Sequence, residues 1–557
     1  MVQKILGFLY GETATLNQAA LLLGLFAFLS HVLAFLRDRL LAHIFGASAE
    51  LDIYYAAFRV PDFIFVVAAS VVSLSVLIPF IVEKDSRGTE AVRAFISSIF
   101  SFFAILVATA SLLAFLFMPA ISSFLFGGLT ETALEKIVFV SRLMLLSPII
   151  LGFSSLLGSI NQAYNRFATY ALAPILYNAG IVVGILIFGE RLGITGVALG
   201  VILGALLHVF IQIPPVVKNG LFPRLVSVDF AAIREVTKIS LPRTLTLSLS
   251  SIGLIFLVSM ASLMPEGSVS VLLLSFNIQA VLISIIGVSY SLAAFPDLSR
   301  RFMEQNFGAF INQMAATARF IIFWALPLTA LFVIVRAQIV RVILGSGLFD
   351  WNDTRLTAAL LALFTLSSMF QCLGLLFIRG FYSAGFTRIP LVINAISTAV
   401  MLGGTWFLVK LFYLSETFSS FITKLFRVED IPGTEVLMLP LGFSLATILN
   451  GVLHWIVFEK KFRGFSAGVS AAFFKNLFAA LVVGVAAYFG LNILAPIFDT
   501  TTLFGIFFQG LFAGLFALAA GIAVLFAMGS EELVEVGRVI KGKFWRKKVI
   551  AADSEMV

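Results

Sequence analysis

SHVLAFLRDRLLAHIFGASAELDIYYAAFRVP (residues 30–61) sets two apolar segments end to end across a short FGASAE turn. Each segment carries charge where a membrane helix should have none. Arg37, Asp38 and Arg39 lie in the first; Asp52, Arg59 and the following Asp62 belong to the second. A charged side chain near the centre of a bilayer-spanning helix costs at least ~2.5–3.5 kcal/mol, so it faces a partner or a water-filled cavity. The stretch therefore reads as two transmembrane helices lining a polar interior, with the other helices as its walls.

The rest of the composition agrees. The chain has 557 residues, 60% hydrophobic and only 12% charged, with a mean hydropathy of +1.07. Soluble domains are nearer half apolar and a quarter charged. Phe alone supplies 60 residues, which suits lipid contact and tight helix packing. Cys372 is the single cysteine, which excludes an intrachain disulfide and makes thiol–metal chemistry an unsuitable reading. His31, His43, His208 and His454 are scattered without metal-ligand spacing. No cofactor and no metal are expected. The opening MVQKILGFLY is too short for a signal peptide, has no small-residue cleavage site after it, and reads as an amphipathic lead-in on the membrane surface.

A span needs ~20 apolar residues. Fourteen candidates follow, at 16–43, 52–82, 92–122, 134–163, 169–189, 194–217, 240–264, 268–297, 309–344, 356–384, 389–412, 436–458, 468–495 and 502–528. The connections test this count. The even ones carry Lys84, Arg87, Arg93, Arg166, Lys218, Arg224, Arg234, Lys238, Arg300, Arg301, Arg388, Lys460, Lys461 and Arg463. Lys4 joins them at the N-terminus, and Arg538, Lys541, Lys543, Arg546, Lys547 and Lys548 in the C-terminal tail. The odd ones carry only Lys136, Arg191, Arg355, Lys424 and Arg427. By the positive-inside rule both termini are cytoplasmic, which requires an even number of spans. The net charge of +8 is thus topological, and nucleic acid is not an expected partner.

The chain also repeats itself. NQAYNRFATYALAPILYN (161–178) is similar to RGFYSAGFTRIPLVIN (379–394), and each holds a P-x-x-x-N, Pro174/Asn178 and Pro390/Asn394. GVALGVILGALLHVF (196–210) is similar to LGFSLATILNGVLHWI (441–456), with His208 against His454. The implied organisation is an N-terminal lobe of six helices (1–220), a C-terminal lobe of six (221–465), two additional helices (466–530) and a basic cytoplasmic tail (531–557). Parallel repeats of this kind enclose a site near their interface. The connector 218–239 contains VDFAAIREVTK, read as a short surface helix, and 413–435 is the longest outer connection.

No enzyme is legible. There is no P-loop, no G-x-G-x-x-G after a strand, no H-E-x-x-H and no G-x-S-x-G elbow in context. Energy for transport then comes from an ion gradient, the membrane potential or a partner. The informative feature is the charge. Ser30, Ala34 and Arg37 fall at i, i+4, i+7, one helix face, with His31 and Asp38 beside them. Asp52, Tyr55, Arg59 and Asp62 form a second stripe at i, i+3, i+7, i+10, where Pro61 removes a backbone donor and kinks the helix. One reading is a cationic cavity for a phosphate-bearing substrate, because arginine offers phosphate a planar fork of donors. The other is that Arg37 and Arg59 pair with neighbouring acids and lock two helices. Asp38, Asp52 and Asp62 are read as structural or gating charge partners. Asn277 and Gln279 either line the cavity or bond between helices. Arg142 either snorkels or faces the cavity, Arg243 and Arg379 anchor at the cytoplasmic edge, and His208 and His454 bond between helices.

These residues carry a resemblance. RDRLLAHIFGASAELDIYYAAFRVPD (37–62), RFATYALAPILYNAGIVVG (166–184), GITGVALGVILGALLHVFIQIP (193–214), PDLSR (296–300), ILGSGLFDWNDTRLTAALL (343–361) and RGFYSAGFTRIP (379–390) resemble, in order, segments of the MurJ family of lipid II flippases, within the MOP transporter superfamily. The resemblance implies an all-α membrane bundle of two six-helix lobes plus two helices. It implies movement of undecaprenyl-diphosphate-linked disaccharide-pentapeptide between leaflets of the bacterial cytoplasmic membrane by alternating access. Arg37 and Arg59 stand where two diphosphate-gripping arginines of that family stand. The family has a further Arg at the place of His31, a Gly at Ala34, an Arg at Asn277, a Glu at Ser70 and, in some members, a cation-binding Asp at Leu257. The cavity lined by Arg37, Arg59, His31 and Asn277 is accordingly less cationic. Lipid II or a similar polyprenyl-diphosphate glycolipid, membrane lipids and cell-wall synthesis proteins are the expected partners. The alternatives are a flippase for an O-antigen or teichoic precursor, a multidrug exporter of the same superfamily, and a degenerate scaffold. An exporter of cationic drugs needs acidic residues in its cavity, and a scaffold has no reason to keep Arg37 and Arg59.

Overall fold

The computed structural model describes residues 16–545 except 72–76, 78, 79, 82, 85, 87 and 165. The lead-in 1–10 with Lys4, Arg87, and Arg546, Lys547 and Lys548 of the tail lie outside the described residues. Helices are the only repetitive backbone among those described. That is the expected solution for an apolar chain in lipid, where every backbone N–H and C=O must be satisfied inside its own segment. Among the described residues twelve helices are long and apolar enough to cross a membrane, thirteen with the bent pair Trp351–Thr365 and Ser368–Ser383 counted as one span, against the fourteen expected. The 30-residue helix Leu16–Phe45 stands at the place of the first expected span.

Packing divides the chain into two units. The first comprises Met1–Val281, Val340–Phe364 and Phe386–Asn450; the second comprises Leu282–Ile339, Thr365–Gly385 and Gly451–Val557. The first unit contains helices α1 (Leu16–Phe45), α2 (Ala49–Val71), α3 (Thr89–Phe126), α4 (Glu131–Met144), α5 (Leu146–Ala163), α6 (Phe167–Gly184), α7 (Ile194–Phe210), α8 (Phe230–Ala261) and α9 (Ser268–Leu282).

Prolines shape this unit. Pro61 lies inside α2, which runs on through it, and Pro119 lies inside α3. A proline has no N–H for the carbonyl four residues back. Helix α4 supplies both missing donors from adjacent residues. Ser141 Oγ donates to the Ala57 carbonyl at 3.0 Å, and Arg142 Nε to the Phe115 carbonyl at 3.0 Å. Ala57 and Phe115 are the residues four before Pro61 and Pro119. The Arg142 guanidinium also lies 4.6 Å from the Phe115 ring centroid. Arg142 is therefore a tie between α3 and α4. Pro148 acts differently: the fourth expected span divides at Leu145 into α4 and α5, just before the proline.

Close backbone approach defines α6 and α7. A Cβ added at Gly180 would lie 2.3 Å from Gly204 Cα, and one at Gly184 would lie 2.3 Å from Gly200 Cα. Small residues four apart let two helices touch through their backbones, the usual way membrane helices gain packing energy.

Three expectations change in detail. VDFAAIREVTK is not a separate surface helix: Asp229 caps α8, its carboxylate accepting from Ala231 N and Ala232 N, and the helix continues unbroken to Ala261. The extended chain before it is held by a ladder of serines on α3. Ser97, Ser101 and Ser98 accept from the N–H of Arg224, Val226 and Asp229 at 3.1, 2.9 and 2.8 Å. The tenth span breaks, with a 42° bend, between Thr365 and Ser368, and the Ser444 hydroxyl donates to the Leu363 carbonyl at 2.7 Å. The connection 413–435 holds a helix, Glu416–Phe426, capped by Ser415 and stopped by Arg427 at φ 59°.

The second unit is organised by aromatic and small residues. Phe310, Phe377, Phe462 and Phe465 pack around Phe458, with His454 stacked on Phe377 at an interplanar angle of 15°. Leu331, Val335, Val483, Ala487 and Ala517 form a core among Phe307–Ile334, Phe465–Leu494 and Leu503–Ala527. Arg319 reaches Glu532, at 3.3 Å, in the helix Glu531–Trp545 that begins the tail.

Candidate functional site

Arg37 is held in a polar knot of three helices. Its Nη2 and Nε bond Asp38 Oδ1 at 2.7 and 2.9 Å, and its Nη1 donates to Asn178 Oδ1 on α6 at 3.1 Å. Asn178 Nδ2 donates in turn to the Pro174 carbonyl at 3.1 Å and to Ser30 Oγ at 3.4 Å. From α9, Asn277 Nδ2 donates to Asp38 Oδ2 at 3.2 Å. The Asp38 side chain is 4% exposed and that of Arg37 20%. The aspartate is the buried anchor, and Arg37 keeps part of its side chain exposed. Ser30, Arg37, Asp38 and Asn277, from separate parts of the sequence reading, thus meet. His31 sits half-buried one residue after Ser30 on α1.

Asp52 makes a different kind of contact. It is 2% exposed and caps the start of α9, accepting from Gly267 N at 2.7 Å, Ser270 N at 2.7 Å and Ser270 Oγ at 2.5 Å. A helix N-terminus presents unpaired N–H groups and a positive dipole end, so a carboxylate there is doubly favoured. The same end of the unit is packed backbone to backbone. A Cβ at Gly267 would meet the Ala47 carbonyl at 2.5 Å, one at Gly347 the His43 carbonyl at 2.2 Å, and one at Gly46 the Leu348 carbonyl at 2.8 Å. Arg39 Nη1 donates to the Val342 carbonyl at 2.6 Å. The FGASAE end of α1 and α2 is therefore closed by short, specific ties.

A cavity of about 500 Å³ opens on the other side of Arg37. Arg37 and Asp62 line it together with Tyr54, Phe58 and Pro61 of α2, Tyr170 and Tyr177 of α6, His208 and Gln212 at the end of α7, and Arg243 of α8. The wall from α5 is a stripe of hydroxyls, Ser147, Ser154, Ser155 and Ser159, running ~18 Å at 1.5 Å per residue. Arg59, His31 and Asn277 are not among the lining residues. Arg59 Nε donates to the Tyr55 carbonyl at 3.1 Å, and its guanidinium lies 5.8 Å from the Phe58 ring centroid. Arg243, read from the sequence as a cytoplasmic-edge anchor, faces this cavity. Ser70 Oγ bonds Thr244 Oγ1 at 2.7 Å and links α2 to α8.

Several lining residues escape a reading based on charge. Ser154, Gln212 and Tyr177 are neutral; Ser154 and Tyr177 lie on helices whose overall character is apolar, and Gln212 in the turn that follows α7. The signals were spacing, not charge: serines at 147, 154, 155 and 159 recur on one helical face, and Asn178 belongs to the repeated P-x-x-x-N. Among the described residues no group of three or more His, Cys, Asp and Glu is placed to hold a metal ion.

A model of the lipid II flippase MurJ family matches residues 41–509. A probable lipid II flippase MurJ of Buchnera aphidicola subsp. Schizaphis graminum is 26% identical, over 83% of this chain and 87% of its own length. A lipid II flippase MurJ of Burkholderia cenocepacia is 23% identical, over 68% and 75%. Among solved structures, a lipid II flippase MurJ in an inward closed conformation superposes with a TM-score of 0.71 at 20% identity, covering 91% of this chain and 99% of that one. An inward-facing multidrug resistance MATE transporter of the MOP superfamily superposes with a TM-score of 0.62 at 16% identity, over 78% and 96%. At such identities the structural likeness establishes the all-α transporter fold.

Proposed function

This chain belongs to the lipid II flippase MurJ family, and on that premise we propose that it moves undecaprenyl-diphosphate-linked disaccharide-pentapeptide from the inner to the outer leaflet of the bacterial cytoplasmic membrane. The carrying observation is Arg37. It lines the cavity with its side chain one-fifth exposed while Asp38 and Asn178 fix the orientation of its guanidinium. A guanidinium so held is oriented before the substrate arrives, which lowers the ordering cost of gripping a diphosphate. Arg243 brings a second positive charge to the same space, and Asp62 a negative one that balances it when empty.

Both termini are cytoplasmic in this reading, and the lobes 1–220 and 221–465 rock about the site, with 466–530 as additional helices. The ties at the FGASAE end keep the outer side shut while the cavity receives substrate. Asp52 leaving the start of α9, and Arg39 leaving the Val342 carbonyl, are the contacts that outward opening breaks. Arg59, His31 and Asn277 lie outside the lining here and enter the cavity as the helices move. Asp38, the partner Arg37 already has, competes with the diphosphate and so favours release. Transport of the intact lipid needs no bond to be made or cut and no cofactor. Cell-wall synthesis proteins are the partners that supply and consume such a lipid.

Complementation tests the reading. The resident lipid II flippase of a bacterium is depleted, this chain is expressed, and survival and outer-leaflet lipid II are followed. Rescue by the wild type and loss with Arg37→Ala at equal membrane level is the expected result. A well-inserted wild type that leaves lipid II in the inner leaflet contradicts it and points to another polyprenyl-linked glycan.

A further inference from the structure

Asp38, Asp52 and Asp62 mark the charged stretch, and the fold uses them differently. Asp38 is taken up by Arg37 and Asn277, and Asp52 by the start of α9. Asp62 has no such partner. It is half-buried and lines the cavity, yet among the described residues it makes no hydrogen bond and no ion pair within 4.0 Å. Arg59, three residues earlier on α2, donates to the Tyr55 carbonyl instead. Phe58 at i−4 and Phe65 at i+3 are half-buried and line the same cavity, so the carboxylate shares one helical face with two aromatic residues.

The charged lining residues are Arg37, Arg243 and Asp62, two cations and one anion. A diphosphate linked at both ends carries one negative charge on each phosphate. Gripped by the two arginines, it takes up both positive charges and leaves Asp62 uncompensated. A carboxylate without a counter-charge away from water is costly, so a substrate that brings its own cation is favoured. Aromatic faces beside the carboxylate attract the same charge. A metal ion fits less well: hard cations gather several oxygen ligands, and no second carboxylate lines the cavity. We propose that Asp62, with Phe58 and Phe65, binds a primary ammonium on the peptide part of the substrate, the side-chain amine of a diamino residue in the pentapeptide; this rests on the function proposed above. The position agrees. Counted from the FGASAE turn, Arg37 lies ~12 Å along α1 and Asp62 ~20 Å along α2, at 1.5 Å per residue. The two charges are offset along the cavity, as the diphosphate and the peptide of one lipid are. The arginines read a diphosphate common to every polyprenyl-linked glycan, whereas Asp62 reads a peptide that an O-antigen or teichoic precursor lacks. A carboxylate left unpaired by such a ligand discriminates against it.

The test is a binding comparison on the full-length protein in nanodiscs. The two probes are lipid II with a lysine-containing pentapeptide and the same lipid with that lysine amine acetylated. The wild type is expected to bind the free-amine form about tenfold more tightly. Asp62→Asn should bind both as weakly as the wild type binds the acetylated form, while Arg37→Ala weakens both and keeps their ratio. Thermal unfolding is measured alongside, and if Asp62→Asn does not fold, Asp62→Ser takes its place. Equal binding of the two probes by the wild type, or a ratio unchanged in the Asp62 variant, overturns the ammonium subsite and leaves the flippase reading standing. A wild type that binds neither probe overturns both.

Discussion

Asp52→Asn is the most revealing single substitution, because it keeps the shape of the side chain and changes only what its atoms do. In the native contact both carboxylate oxygens accept: Oδ2 from Gly267 N, and Oδ1 from Ser270 N and Ser270 Oγ. An asparagine keeps one oxygen. Whichever way it turns, its amide N–H points at a backbone N–H, leaving at least one buried donor without an acceptor. An unsatisfied buried donor costs ~1–3 kcal/mol, and loss of the charge at the helix start adds ~0.3–1 kcal/mol. Asp52→Asn should therefore destabilise by about 2–3 kcal/mol. Asp52→Ala, which orphans both backbone donors, should cost about 4 kcal/mol on the same scale. Ser270→Ala removes only a hydroxyl that Asp52 accepts and should cost about 1 kcal/mol. Reversible unfolding in mixed micelles reads these differences, and a cycle of Asp52→Asn with Ser270→Ala reads their coupling. An asparagine variant within about 0.5 kcal/mol of wild type, the range of an uninvolved surface change, refutes the capping role of Asp52.

Other consequences follow from the same geometry. Arg142→Met leaves the Phe115 carbonyl without its donor, so it should destabilise by ~1 kcal/mol, and Pro119→Ala, which restores the N–H at 119, should erase most of that loss in a double-mutant cycle. Gly204→Val should cost at least ~1–3 kcal/mol, because a Cβ there would meet the Tyr177 carbonyl at 2.3 Å; detergent-extracted protein should unfold at a lower temperature, and an unchanged transition would mean the helices do not touch there. The exposed pair Arg355–Asp430, at 2.6 Å, holds the Asp430 carboxyl below its ordinary value of 3.8, chiefly through the hydrogen bond from Arg355. A depressed carboxyl stabilises the fold above its unfolded pKa and loses that contribution as pH falls through the folded one. The small difference in melting temperature between wild type and Asp430→Asn should accordingly be present at neutral pH, begin to shrink as the pH falls to the ordinary carboxyl value of 3.8, and be gone once it is below the lowered folded value.

How much of this was legible beforehand differs from residue to residue. Arg37, Asp38 and Asp52 announce themselves, because charge in an apolar segment is expensive and must have a reason. That they meet Asn178, Asn277 and the start of α9 does not follow from spacing, since those partners lie 141, 239 and 215–218 positions away. Arg142 illustrates the limit from the other side. Its charge was visible, but its role depends on a carbonyl freed by Pro119 on a different helix. The breaks after Met144 and Thr365 were likewise hidden, because hydropathy sums over a window and does not register a missing hydrogen bond.

The sequence by itself determined the class, the membrane and the bias of basic residues along the chain, since those depend on transfer free energies that are local and additive; it expected fourteen spans where twelve or thirteen stand among the described residues. It also marked the two helices that carry buried charge. Only the tertiary structure decided which charges face open space and which are spent on packing. It turned Asp52 into a helix cap, turned Arg243 to the cavity, tied Arg59 to the Tyr55 carbonyl, and gathered Ser154, His208 and Gln212 into one centre. Those outcomes depend on which side chains from distant helices come within about 3 Å, where hydrogen bonds exist at all.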